Sequence, residues 1–166
     1  MPLVVQEAGR IGMEPEDLLT IMSYETGGSL DPWQKGPTTK WGQHRGLIQF
    51  GEPQAKRYGY TPRASLADLV KASADYFVGS GWKPGMPFVN TYATVNAGSP
   101  GRVHASDSHV GGAPGSVLDK TRSANMAGHR AKAQNYLAIC RDEAARRLHP
   151  DTYTKHSSGT ERVWRQ

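Results

Sequence analysis

The sequence predicts a mainly α domain. Apolar residues recur at three- and four-residue spacing in segments along most of the chain. Residues that start and stop helices fall at the ends of those segments, and no segment alternates apolar with polar residues as a half-buried strand does. The chain has 166 residues, of which 37% are hydrophobic and 21% charged, a globular composition long enough to enclose one core.

The elements follow in order. Residues 2–11 form a short helix with Leu3, Val4, Ala8 and Ile11 on one side, closed by Gly12. Pro15 suits a first helical turn, and Glu14, Glu16 and Asp17 complement the positive end of the helix dipole. Leu18, Leu19, Ile21 and Met22 make this second helix a buried one, and it ends at Gly27-Gly28. Residues 29–45 hold two prolines and two glycines with no sustained period, so they read as a long loop. Gly46-Leu47-Ile48-Gln49-Phe50 is a short apolar run, and Pro53 opens a helix to Tyr58.

Ser65 and Asp68 have capping-box spacing and open a helix to Val78, with Leu66, Leu69, Val70, Ala74 and Phe77 on its core face. A Gly/Pro loop over 79–87 precedes a helix from Phe88 to Ala97. Five glycines and two prolines make 98–117 a loop. The last helix spans 122–148, with Met126, Ala133, Leu137, Cys140, Ala144 and Leu148 at core spacing. The organisation is a single domain over 1–148 and a polar tail over 149–166.

Charge and cysteine usage narrow the function classes. The net charge is +5 and the pI about 9.4, which favours an anionic polymer as partner. No run of Lys and Arg exceeds two residues and none alternates with aromatics, so a nucleic-acid groove is not favoured. A single cysteine, Cys140, forms no intramolecular disulfide and reads as a buried, inert thiol. The first residues lack a basic stretch followed by a long apolar core, and no apolar run is long enough to span a bilayer. The expectation is a protein made in the cytoplasm, without membrane insertion, that does not use the general export route.

Three segments carry candidate chemistry. Glu25 ends the second helix, directly before Thr26-Gly27-Gly28. A carboxylate there opposes the helix dipole, which asks for a reason other than helix stability. Partial burial would raise its pKa toward neutrality, as a general acid for a glycosidic oxygen requires. Gln49 is an amide inside an apolar run and needs hydrogen-bond partners. Tyr92 and Asn96, four residues apart, share one helix face, and Gly98 follows as a left-handed helix stop.

The ordered set Glu25-Thr26-Gly27-Gly28, Gly46-Leu47-Ile48-Gln49 and Ala93-Thr94-Val95-Asn96-Ala97-Gly98 resembles the lytic transglycosylase and goose-type lysozyme family. Pro53-Gln54-Ala55-Lys56-Arg57-Tyr58-Gly59 looks like the family's continuation, and the resemblance covers roughly residues 3–103. It implies a lysozyme-like two-lobed helical fold with a cleft, and Glu25 as the catalytic acid/base. It also implies cleavage of the MurNAc–GlcNAc β-1,4 bond of bacterial peptidoglycan with 1,6-anhydro ring formation, without metal or cofactor.

Gln49, Tyr92 and Asn96 would bind substrate, and Thr38 or Thr39 would steady the acetamido group. The family's motif tyrosine aligns with Val95, so Tyr92, one turn earlier, would have to stand in for it.

Other constellations fit less well. Asp31, Glu52 and Asp107 are candidates for a second carboxylate; Asp31 has an ordinary turn role and Glu52 a helix-start role instead, and Asp107 lies in a Gly/Ser/His-rich loop. His104, Asp107 and His109 match no zinc spacing, and no G-x-S-x-G elbow is present. Transglycosylation is preferred over hydrolysis of the same bond. The competing class is a noncatalytic wall- or nucleic-acid-binding α domain. Delivery to the periplasm and wall by a virion, holin or secretion apparatus, with phage tail or apparatus proteins as partners, is the corresponding expectation.

Overall fold

The computed structural model describes residues 2–108 and 112–148; the polar tail and His109 lie outside the described residues. The elements are α1 (Pro2–Ile11), α2 (Pro15–Glu25), β1 (Lys35–Thr39), β2 (Gly42–Arg45), α3 (Glu52–Tyr58), α4 (Leu66–Gly79), α5 (Phe88–Ala97), α6 (Val117–Thr121) and α7 (Ala124–Leu148). The protein is mainly helical, as the periodicity predicts.

Helix α2 is the centre of the core. Leu18, Leu19, Ile21 and Met22 are all buried, so the helix is apolar nearly all round. Each such side chain contributes about 1.5–3 kcal/mol on leaving water. Its buried hydroxyls are satisfied: Thr20 donates to the Glu16 carbonyl at 2.6 Å and Thr26 to the Met22 carbonyl at 2.7 Å.

Helix α7 covers one side of α2, and α1 packs on α4. Arg130 of α7 ties this joint at its rim, reaching Glu16 at 2.5 Å and Asp17 at 2.9 Å. In its middle, His129 Nδ1 meets the Ser23 hydroxyl at 2.8 Å. Phe77, Tyr92, Ala93 and Met126 complete the core around α2.

The segment read as one loop over 29–45 folds instead into a hairpin. β1 and β2 pair antiparallel, with Thr39 opposite Gly42, so Lys40 and Trp41 form the two-residue turn. Its strands, KGPTT and GQHR, are polar on both sides, so no alternation announces them. The stretch read as loop to residue 117 also ends early. Ser116 and Asp119 form a full capping box that opens α6.

Four burial expectations need correction. Leu66 lies on the first turn of α4 and is exposed. In α7, Met126 and Ala133 are buried, but Cys140 is only half-buried and Ala144 and Leu148 are exposed. Beyond Leu137, α7 runs past the layer that buries its first half, so among the described residues the correct spacing meets no core.

The apolar run at 46–50 is neither strand nor helix. Arg45 and Phe50 exchange backbone hydrogen bonds at 3.0 and 2.8 Å, pinching Gly46 to Gln49 into a tight loop. Gly46 has φ +87°, and a Cβ there would come within 2.5 Å of the Tyr60 ring. Tyr60 cannot retreat, because its ring packs on Trp33 and Phe50 and its hydroxyl is shared between the Leu47 N–H and the Pro32 carbonyl. Gly46→Ala is therefore expected to destabilise the protein by about 2–4 kcal/mol, read as a lowered urea midpoint.

Candidate functional site

A cleft of about 1020 Å³ collects most of the residues singled out from the sequence. Glu25, Gln49, Tyr92, Asn96, Thr38 and Thr39 all line it. Asp31 and Glu52 do not appear on its walls, whereas Asp107 does.

Glu25 is the last residue of α2, and Gly27 and Gly28 follow with φ +60° and +89°. The chain leaves the helix through a left-handed turn that side-chain-bearing residues adopt at a cost. The carboxyl is thus carried on a rigid buried helix and delivered at the cleft wall. Burial pushes its pKa up to about 7; the Tyr92 hydroxyl, in hydrogen-bonding reach, pulls the other way, Asp107 raises it and Lys120 lowers it.

Tyr92 is only 1% exposed. Burial raises its phenol pKa, and the nearby Glu25 charge adds to that. It therefore stands as a neutral O–H donor beside the acid. Val95, at the position where the resemblance expects a tyrosine, lines the cleft one turn further along α5.

Asn96 is fixed by a strut that sequence reasoning did not find. Its Nδ2 donates to Asp107 at 2.8 Å, and the other Asp107 oxygen is paired with the Lys120 ammonium. Lys120 is brought there by α6, whose first residues hang from the preceding loop through Val117 N–H to Ala105 and Leu118 N–H to Val103. With its N–H2 engaged, Asn96 has a buried Oδ1 without a partner among the described residues.

Gln49 has φ +57°, a conformation non-glycine residues seldom take. Its amide donates to the Gln34 and Gly46 carbonyls at 3.1 and 3.0 Å, while its Oε1 is buried without a partner among the described residues. Gly36 of β1 makes room for that amide, since a Cβ there would lie 1.7 Å from Oε1. His44 braces the same loop from below. Its Nδ1 donates to the Gln49 carbonyl at 2.9 Å, and in the neutral ring Nε2 accepts the Thr39 hydroxyl at 2.9 Å. The Thr39 hydroxyl also accepts the Trp41 N–H, so it holds the hairpin turn together.

Tyr24 was also missed. Its ring meets Tyr92 edge-on at 5.4 Å and His129 at 5.5 Å, linking the site to the α2–α7 joint. The only signal available was its place beside Glu25. Asp107 was named only as a candidate second carboxylate, and its pairing with Lys120 had no local signal, the two being thirteen residues apart and joined only by the fold.

Among the described residues no group of His, Cys, Asp and Glu could hold a metal ion. His104 and Asp107 do not form one, and no helix there is long and apolar enough to cross a membrane. The arrangement offers one carboxyl protonated near neutrality, a neutral phenol against it, and amide acceptors short of donors along the same wall. Comparison with protein-family models, with curated proteins and with solved structures finds no match for this chain.

Proposed function

We propose that this protein is a peptidoglycan lytic transglycosylase with a lysozyme-like two-lobed fold, cleaving the MurNAc–GlcNAc β-1,4 bond with Glu25 as its acid and then its base. The observation that carries this reading is a helix-borne carboxyl, its pKa raised by burial to about 7, lining a cleft beside Tyr92.

Glu25 donates its proton to the glycosidic oxygen as the bond to C1 breaks. The substrate's acetamido oxygen shares the positive charge left at C1. The Glu25 carboxylate then takes the proton of the C6 hydroxyl, whose oxygen bonds to C1 and closes the 1,6-anhydro ring. Tyr92 donates a hydrogen bond to the carboxylate in the middle of this cycle, when it is charged. The orphaned oxygens of Gln49 and Asn96 suit the hydroxyl and amide N–H donors of an N-acetylated sugar.

The basic side chains on the cleft wall, Lys35, Lys40 and Arg102, suit a polymer bearing carboxylates. Action on such a polymer places the working protein at the bacterial periplasm and wall, with virion or secretion-apparatus proteins as candidate partners.

Hydrolysis is the second reading, favoured by one observation: Asp107 is a second carboxylate in the same cleft. Both of its oxygens are already engaged by Asn96 and Lys120, which leaves it poorly placed to activate water.

Product analysis separates these readings. Wild type and Glu25→Gln are incubated with purified peptidoglycan and the soluble fragments weighed by mass spectrometry. Anhydro-muropeptides from wild type alone are expected; reducing-end fragments indicate hydrolysis. Release by neither protein, with salt-sensitive retention of DNA, identifies the noncatalytic binding class.

A further inference from the structure

Trp41 is 48% exposed at the tip of the hairpin, yet it belongs to the cleft wall. What sets this indole apart from the other exposed apolar side chains is its place in the cleft wall, where its flat apolar surface is open to a ligand. Its base is not loose. The Trp41 N–H donates to the Thr39 hydroxyl at 3.1 Å, and its carbonyl accepts the Glu52 N–H at the start of α3 at 2.8 Å. The ring is presented from a backbone pinned on both sides. The Lys40 ammonium lies over the ring, 4.9 Å from its centroid, and the residue remains 48% exposed.

Gln54 of α3 stands next to it. Its Oε1 is buried with no hydrogen-bond partner among the described residues, and the side chain lines the same cleft. Gly51 lies between the two. A Cβ at Gly51 would come 2.9 Å from Gln54 Oε1 and 3.0 Å from Trp41 Cβ, so an acceptor short of a donor and the root of an exposed indole share one small space.

A pyranose answers both needs. Its C–H face is apolar and fits an aromatic plane, while its rim carries O–H and acetamido N–H donors. An apolar peptide side chain would cover the indole but leave the Gln54 oxygen unpaired.

We propose that Trp41 and Gln54 form a sugar-binding subsite at the hairpin end of the cleft, with a hexopyranose of the glycan strand stacked on the indole and donating to Gln54 Oε1. This rests on the reading of the cleft as a glycan site, and it adds a binding determinant remote from the reacting bond and separate from the Glu25 chemistry.

The test is made in the Glu25→Gln background, so that binding is measured without turnover. Chito-oligosaccharides of two to six sugars, neutral N-acetylglucosamine polymers, are titrated by calorimetry and tryptophan fluorescence. The longest oligomer is expected to quench or shift the fluorescence saturably. Trp41→Ala is expected to weaken its binding about tenfold, Trp41→Phe to recover part of that loss, and Gln54→Leu to weaken it about fivefold. Circular dichroism and the melting temperature of each variant report folding, and an exposed turn residue should leave both near wild type.

Unchanged affinity in folded Trp41→Ala, or no saturable binding by any oligomer, overturns the subsite. Cleavage by Glu25→Gln overturns the proposed chemistry instead and leaves the subsite to be decided by the binding data.

Discussion

Glu25→Gln is expected to abolish cleavage and at the same time to stabilise the fold. Removing a general acid/base that serves both halves of a reaction costs at least about 10³-fold in kcat. The stability gain follows from the same burial. The Glu25 pKa is raised from 4.5 to about 7 in the folded protein. The folded state then holds the proton more tightly than the unfolded one. Stability associated with this group is fully present below about pH 4.5 and is lost as pH rises through about 7.

Above that window wild type bears a penalty on the order of 2–3 kcal/mol that glutamine does not. The two proteins should therefore unfold alike near pH 4 and diverge by pH 8, with the variant more resistant to urea. Burial lowers the His129 pKa, so His129 contributes in the opposite direction below its ordinary 6.5. It is present in both proteins and cancels in the difference. Activity supplies the matching limb: kcat/KM should fall about tenfold per pH unit above about 7, as the acid loses its proton. A pH-independent difference in stability, or a flat profile to pH 9, would remove Glu25 from this role.

The second large effect concerns Asp107 and Lys120, which the sequence places apart and the fold joins. Their side chains are 27% and 3% exposed. Removing one partner strands the other, and the cost depends on which charge is left where. Asp107→Asn leaves an ammonium in the more buried position and should cost about 3–5 kcal/mol. Lys120→Met leaves a carboxylate that still reaches water, and about 1–3 kcal/mol is expected. The double variant should recover part of both losses.

The two changes should also move the alkaline limb of activity in opposite directions. Asp107 raises the Glu25 pKa and Lys120 lowers it, so Asp107→Asn shifts the limb to lower pH and Lys120→Met to higher pH. Equal losses with no opposed shift would reduce the pair to a purely structural strut.

Much of the fold was legible in local chemistry. Helix α2 and helix α4 were readable because a buried helix must carry its apolar residues at helical spacing and its ends need caps, and Ser65 with Asp68 supplies one. The hairpin was not readable, because both faces of its strands are polar and its turn, Lys40-Trp41, has neither Asn-Gly nor Asp-Gly. Helix α6 was readable in principle, since Ser116 and Asp119 repeat the Ser65–Asp68 pattern, but the surrounding glycines outweighed it.

For the candidate site, the sequence by itself determined which groups are available: Glu25 at a helix end before two glycines, Gln49 in an apolar run, and Tyr92 and Asn96 one turn apart. Local spacing encodes those placements directly. Only the tertiary structure decided what surrounds them. The burial that carries Glu25 to about 7, the phenol of Tyr92 beside it, and the Asp107–Lys120 strut that turns Asn96 all arise between segments distant in sequence. A carboxyl's pKa is set by its solvent and its neighbouring charges, and a chain acquires both only when it has folded.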